Sequence, residues 1–385
     1  MGVRFFFIIV CISIIHVSIV TGCRNVNKDN MKVNDMTTSQ KQMENSISFD
    51  NPVPTNISKP GSLWSTVWDF VSGDEIREPV NPLGPFEVDL RVSEPPASEG
   101  LKVCWIGHST VIIDIDGLRF LTDPIWSRRC SPVDMIGPRR FFDPPAALDQ
   151  VKFVDGVIIS HDHYDHLDEA TIRRLGERDI IFYVPMGVGS HLRSWGIPEK
   201  KIREHHWWEG TRIGFDHQLV ATPARHFSGR GIFDRNKTLW ASWVITGKTH
   251  RVFFGGDGGF FQGMKTIGEL YGPFDMTLLE IGAYHPGWGE IHLGPKNAVK
   301  AHSAVRGKVL MPIHWGTFKL ALHTWTAPAE EVIQYAKTGG LPLLMPRPGR
   351  MVELPEAPLI SRWWEEPEEN RQLADAGLDS FSYAK

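Results

Sequence analysis

The chain has 385 residues, 42% of them apolar and 22% charged, with a net charge of −4 at pH 7. Those are the proportions of a globular protein, and the slight acidity leaves no electrostatic case for nucleic acid as a partner. Trp 14 and Phe 21 against Tyr 6 is an aromatic balance suited to an apolar cleft or a large core.

In chain order, residues 1–22 read as a targeting segment. Arg4 supplies a positive end, and the apolar run over residues 5–20 falls short of the ~20 residues that span a bilayer. It closes on Val20-Thr21-Gly22-Cys23, which resembles the lipobox of bacterial lipoproteins. That resemblance implies cleavage before Cys23, a lipidated Cys23 and, with Arg24 next, a place on the outer membrane facing the periplasm. A retained membrane anchor is the alternative. Residues 23–60 are polar, rich in Asn, Lys, Ser and Thr, without apolar period, and read as a flexible tether. The folded domain is expected over 61–385.

Residues 101–106 read as a strand, and 111–121 as a hairpin about Asp116-Gly117. A Pro-rich loop follows, carrying Arg128, Arg129, Arg139 and Arg140. These read as solvated charges or as contacts to phosphate and anionic lipid heads. Val157-Ile158-Ile159 reads as a buried strand and 168–175 as a helix start. Strands are expected over 180–185, 219–222, 240–245, 251–254, 276–279 and 308–313, with helices over 187–195 and 295–305. Strands in groups with few helices between them favour a sheet-on-sheet sandwich over a doubly wound sheet. Of the four cysteines, Cys11 and Cys23 lie in the N-terminal segment, and Cys104 and Cys130 are read as two separate thiols. There is no C-x-x-C pair, so any metal must be held by His, Asp or Glu.

The loop between the strand near 158 and the helix near 169 holds His161-Asp162-His163-Tyr164-Asp165-His166, an H-x-H-x-D-H pattern. His161 and His163, on alternate positions, can face one ion; Asp165 and His166 can turn to a second. Imidazole nitrogens and carboxylate oxygens at this density suit zinc, or manganese or iron in a similar cage. Two ions need more donors, and rigid strand ends are where to look for them. His226 follows 219–222, Asp257 follows 251–254 within Gly255-Gly256-Asp257-Gly258-Gly259, and His314 follows 308–313. One carboxylate such as Asp257 can bridge two cations ~3.5–4 Å apart, as two-metal hydrolysis requires.

The order Asp123, H-x-H-x-D-H, His226, Asp257, His314 resembles the five motifs of the metallo-β-lactamase superfamily. Within it, Gly107-His108-Ser109-Thr110-Val111, Leu121-Thr122-Asp123-Pro124, residues 160–168, Trp207-Trp208-Glu209, Ile281-Gly282-Ala283-Tyr284 and Ile313-His314-Trp315-Gly316-Thr317-Phe318 resemble the N-acylphosphatidylethanolamine-hydrolysing phospholipase D group. The resemblance implies an αββα sandwich of two related halves with two Zn2+ at one edge. It implies one zinc on His161, His163 and His226, the other on Asp165, His166 and His314, and Asp257 shared. Asp123 would orient ligands, and His292 and Tyr284 would lie beside the substrate. Three features depart from the family. Gly258 stands where Gly-Asp-Thr-Gly has Thr, Glu280 stands where the phospholipase has an apolar residue or Pro, and the loop Pro286-Gly287-Trp288-Gly289-Glu290 is shorter than in the animal enzyme.

The chemistry implied is attack on phosphorus or carbonyl carbon by hydroxide from a water that two cations ionise. Asp165 or Asp257 would take the proton, and His292 would donate to the leaving group or the phosphate. The first expectation is a phosphodiesterase that releases phosphatidic acid and N-acylethanolamine from N-acyl phospholipid at a membrane. The alternative is a lactonase or soluble phosphodiesterase of the same fold. A non-enzymatic metal or lipid carrier would be signalled by a lost ligand, and none is missing. The oligomeric state stays open, a homodimer included.

Overall fold

The computed structural model describes residues 48–57, 75–133, 135–285, 287–356 and 358–365. Its first half runs β1 (Leu101–Gly107), β2 (Thr110–Ile115), β3 (Leu118–Thr122), β4 (Gly156–Ile158), α1 (Glu169–Gly176), β5 (Ile181–Pro185), α2 (Gly189–Ser194) and β6 (Ile202–His205). The second half runs β7 (Gly210–Ile213), β8 (His217–Thr222), β9 (Ser242–Thr246), β10 (Arg251–Phe254), α3 (Gly263–Tyr271), β11 (Phe274–Glu280), α4 (Gly294–Ala304), β12 (Gly307–Ile313) and α5 (Ala327–Gly339). Three short strands close the described chain: β13 (Leu344–Met345), β14 (Met351–Glu353) and β15 (Leu359–Ile360).

The strands form one sheet in the order β14-β1-β2-β3-β4-β5-β6 and another in the order β12-β11-β10-β9-β8-β7, with β13 and β15 paired apart. Both sheets follow one plan. The first is antiparallel through β1, β2 and β3 and parallel through β4, β5 and β6. The second is antiparallel from β7 to β10 and parallel through β11 and β12. This repeated plan makes the two related halves of an αββα sandwich.

Alternation along the strands of the first sheet sorts the core. Leu101, Val103 and Trp105 of β1 join the cluster shared with the second sheet, while Cys104 and Ile106 face the layer that holds Ile172, Leu175 and Leu192 of α1 and α2. Strands buried on both faces read as unbroken apolar runs, so the sequence locates them without telling which residue faces which layer. The turn at Asp116 (φ 47°) and Gly117 (φ 99°) has the two positive φ angles of a type I′ hairpin. The Asp116 carboxylate also accepts the amides of Thr249 and His250 at 2.7 and 2.9 Å, which stitches the first half to the second.

Residues 48–57, assigned by composition to the tether, lie packed on the domain. Asn51 Nδ2 donates to the His226 carbonyl at 2.7 Å, Arg225 donates to Thr55 Oγ1 and the Pro54 carbonyl, and the Glu290 amide donates to the Asn56 carbonyl. A polar strap held by hydrogen bonds has no apolar period to reveal it. The lipobox at Val20 to Cys23 lies outside the described residues, among which no helix is long and apolar enough to cross a membrane. Cys104 and Cys130 are both free and buried, so they are separate thiols.

One buried pair fixes the β2–β3 hairpin. Arg119 Nε and Nη2 donate to the two Asp114 oxygens at 2.6 and 2.7 Å, and Nη1 donates to the Val92 and Lys152 carbonyls. Arg119→Ala would strand the Asp114 charge, and we expect a loss of about 3–5 kcal/mol in urea unfolding. A loss near the ~1 kcal/mol of a surface pair would show that water reaches Asp114.

Candidate metal centre

Among the described residues, ten imidazole and carboxylate positions converge where the loops after β4, β8, β10, β11 and β12 meet the β1–β2 turn. Nε2 of His161 lies 2.8 Å from Nδ1 of His163, and Nε2 of His226 lies 3.4 Å from the same atom. Beside this trio, Asp165 Oδ2 lies 3.0 Å from His108 Nε2, 3.3 Å from His314 Nε2 and 3.4 Å from His166 Nε2. Asp257 Oδ2 sits between the two groups, 3.1 Å from His314 Nε2, 3.3 Å from His166 Nε2 and 3.9 Å from His226 Nε2. All seven residues singled out in the sequence as ligands are thus brought together. Each donor group closes to metal-ligand spacing: His161, His163 and His226 in one, and His108, Asp165, His166 and His314 in the other.

The layer behind them fixes which ring nitrogen faces inward. Asp123 accepts from the Ser160 amide at 2.7 Å, from Ser160 Oγ at 2.6 Å and from His166 Nδ1 at 2.7 Å. Ser160 Oγ, having donated its proton, accepts from His161 Nδ1 at 2.9 Å. His226 Nδ1 donates to the Ile291 carbonyl at 2.9 Å. In His161, His166 and His226 the outer nitrogen therefore carries a proton and Nε2 is the nitrogen turned to the centre, the usual work of groups behind metal ligands. Asp123 performs the orienting role that the family resemblance implies.

The backbone is bent to reach this arrangement. His108, Asp123 and His314 have φ of 54°, 34° and 61°, a region that non-glycine residues seldom occupy and that clusters at functional sites. The two histidine turns hold each other: the His314 amide donates to the His108 carbonyl at 2.9 Å, and the His108 amide donates to Thr317 Oγ1 at 2.7 Å. Gly282 makes room for them, since a Cβ there would sit 2.0 Å from the His314 carbonyl oxygen.

Two buried polar atoms at the centre, His166 Nε2 and Asp257 Oδ1, have no hydrogen-bond partner. An unsatisfied buried polar atom costs about 1–3 kcal/mol, and cations held among these donors would satisfy both. The electrostatics agree. Burial and the imidazoles of His166, His163 and His226 hold His161 well below the ordinary imidazole range, in the neutral form a ligand needs. Burial pushes the Asp257 carboxyl up, but His166 and His314 outweigh it and hold it well below the usual carboxylate range. Burial pulls His314 down, but Asp257 and Asp165 outweigh it and push it up to about 10.

A family model described as a beta-lactamase superfamily domain matches residues 118–315, just over half of the chain. The chain belongs to the beta-lactamase superfamily. This superfamily member is 44% identical over 303 residues to an uncharacterized protein of Mycobacterium tuberculosis, covering 77% of this chain and 80% of that one. It is 35% identical over 295 residues to a Caenorhabditis elegans protein named N-acyl-phosphatidylethanolamine-hydrolyzing phospholipase D 1, covering 73% of this chain and 82% of that one. A solved isothiocyanate hydrolase from Delia radicum gut bacteria shares the fold, with a TM-score of 0.54 at 19% identity over 65% of this chain and 98% of that one. Fold, donor set and relatives make the chain a metal-dependent hydrolase of the metallo-β-lactamase superfamily.

Some residues fall elsewhere than the sequence suggested. His108, quoted for its turn but not for its imidazole, contributes a donor to the second group; it lies before the matched residues 118–315. Its only signal was a histidine at a tight turn between two apolar runs. Tyr284 turns its hydroxyl to Glu331 Oε1 of α5 at 2.7 Å and stacks on His323, so it braces the wall of the site. Arg140 is not a solvated charge: it is buried and donates to the carbonyls of Ile106, Ile125 and Phe142. Arg128 and Arg139 are exposed.

We expect about two transition ions per chain in metal-supplemented protein, and His163→Ala should lose metal and activity together. Folded protein without metal after supplementation would overturn the centre. In chelator-stripped protein the raised His314 and His166 keep protons at neutral pH. Metal must displace these protons, so loading releases them and affinity falls as pH falls. Calorimetry in buffers of different ionisation enthalpy reads that release directly, and its absence would contradict the assignment of His166 and His314.

Proposed function

We propose that this chain is a zinc-dependent phosphodiesterase that hydrolyses N-acylphosphatidylethanolamine to phosphatidic acid and N-acylethanolamine. The observation that carries the reading is its 35% identity, over 295 residues, to the nematode protein named for that reaction. The cleft supports it. Arg77 and Lys319 line the opening beside His108 and His314, with Phe141 and Trp325 as aromatic walls. Both cations are paired, Arg77 Nη2 with Glu75 Oε2 and Lys319 Nζ with Glu78 Oε1, each at 2.9 Å, so a phosphate would compete with these carboxylates, while the aromatic walls suit an acyl-bearing group. Imidazole nitrogens and carboxylate oxygens suit zinc first, with manganese and iron as substitutes.

His161, His163 and His226 would hold one cation, Asp165, His166 and His314 the other, and Asp257 would be shared. Bound there, such a pair supplies hydroxide at neutral pH and offsets negative charge developing on the phosphoryl group. Asp165 Oδ2, held by His108 Nε2 at 3.0 Å, and Asp257 Oδ2 are placed to take the proton of the attacking water. His292 Nδ1 is committed to Glu280 Oε2 at 2.6 Å, which leaves Nε2 to serve the leaving oxygen. The water oxygen joins phosphorus, the bond from phosphorus to the ethanolamine oxygen breaks, and that oxygen takes the proton. Asp257→Asn keeps the shape and removes the shared charge. We expect a loss of kcat of about 100-fold or more, and near wild-type hydrolysis would show that Asp257 is not shared.

We also propose that lipidated Cys23 holds the enzyme on the outer membrane, facing the periplasm. The lipobox-like Val20-Thr21-Gly22-Cys23 carries this reading, and the strap over residues 48–57 lies on the wall of the metal centre, with Asn51 on the His226 carbonyl. Mature lipoproteins carry several acyl chains and bind firmly, where one chain binds weakly. Cys23→Ala should therefore release the protein from the membrane without changing its fold. The variant should lose activity on vesicle phospholipid and keep it on a short-chain, water-soluble phosphodiester. If wild type and variant both ignore vesicle lipid yet turn over a lactone or cyclic phosphodiester, the alternative hydrolase replaces this reading.

A further inference from the structure

We propose that Glu280 is a positioning residue that sets the tautomer and direction of His292 and ties that ring to the loop carrying Asp257. The inference rests on the reading above, in which His292 serves the leaving oxygen.

Glu280 is the last residue of β11, and its side chain is completely buried. A lone buried carboxylate is costly unless it is fully hydrogen-bonded. This one is: Oε1 accepts the Gly258 amide at 2.7 Å and the Leu293 amide at 3.2 Å, and Oε2 accepts His292 Nδ1 at 2.6 Å. One side chain thereby joins three segments of the metal edge: the loop one residue past Asp257, the start of α4, and His292. Oε2 also lies 4.0 Å from His314 Nδ1. The His292 side chain is 13% exposed, with its ring centroid 5.1 Å from that of His226 and Nδ1 3.9 Å from Asp257 Oδ2.

Two departures from the family pattern thus become one device. Gly258 brings its amide to Glu280, in a place where a Cβ would stand 3.2 Å from the Arg225 amide nitrogen. Glu280 in turn accepts a hydrogen bond from His292 Nδ1 at 2.6 Å. A histidine whose Nδ1 donates to a carboxylate presents Nε2 outward in a set tautomer, with its ring plane fixed.

Glu280→Gln tests this with almost no change of shape. The amide oxygen still accepts from Gly258 and Leu293, but the amide nitrogen donates to His292 Nδ1 and drives the neutral ring's proton to Nε2. We expect kcat to fall on the order of 10–100-fold, with KM little changed and metal content equal to wild type. Placed in a His292→Ala background, Glu280→Gln should cost nothing more. A loss that multiplies with that of His292→Ala, or a loss of metal, would overturn the proposal by making Glu280 a brace for the fold or the ions. Nitrogen NMR of the zinc-loaded wild type, with His292 assigned by His292→Ala, gives a readout independent of turnover and of whether Glu280→Gln folds. With the ring brought to its neutral form by raising the pH, the one remaining proton should sit on Nδ1, and a neutral ring protonated on Nε2 alone would refute the proposal. Rates are read on whichever of phospholipid vesicles, a cyclic phosphodiester or a lactone the wild type hydrolyses fastest. If it hydrolyses none, the proposed function fails while the NMR result still decides the role of Glu280.

Discussion

A single carboxylate oxygen organises this molecule. Asp257 Oδ2 is buried within 3.1–3.9 Å of imidazole nitrogens from His166, His314 and His226. His166 comes from the first sheet's half and the other two from the second, so the oxygen lies on the seam. A buried charge must be paired, and here the pairing spans both halves of the sandwich. The sheets must therefore end at a common edge, and the turns bearing His108 and His314 must take backbone conformations that few side chains accept. Gly282 must lack a Cβ for those turns to close. The fold is the scaffold that brings these donors to one charge.

Much of that scaffold was legible in the residues themselves. The H-x-H-x-D-H loop announces itself by density. His226, Asp257 and His314 are legible for another reason: each follows an apolar run, so strand order alone carries them to one edge. A sheet-on-sheet sandwich follows from the same grouping of strands, whereas its division into two related αββα halves was implied by the resemblance to the superfamily. The helices α3 and α5 and the strands β6 and β7 were not anticipated, being short or weakly apolar stretches that tertiary packing organises.

The unread residues share one physical cause: their meaning lies in a partner remote in sequence. His108 meets Asp165 57 positions away. Arg140 looks like its three neighbouring arginines until the carbonyls of Ile106 and Ile125 appear around it. Residues 48–57 have a tether's composition, yet Asn51 reaches a carbonyl 175 positions on. Glu280 and Gly258 each looked like an isolated departure, and only the fold shows that one amide and one carboxylate make them a pair.

The reaction proposed for this edge is hydrolysis of a phosphodiester at phosphorus. Metal-loaded protein acting on N-acylphosphatidylethanolamine vesicles in heavy-oxygen water tests that most directly, with mass spectrometry of both products. One labelled oxygen is expected in the phosphatidic acid and none in the N-acylethanolamine. Label in the N-acylethanolamine, or no turnover by protein shown to carry its metal, would contradict it.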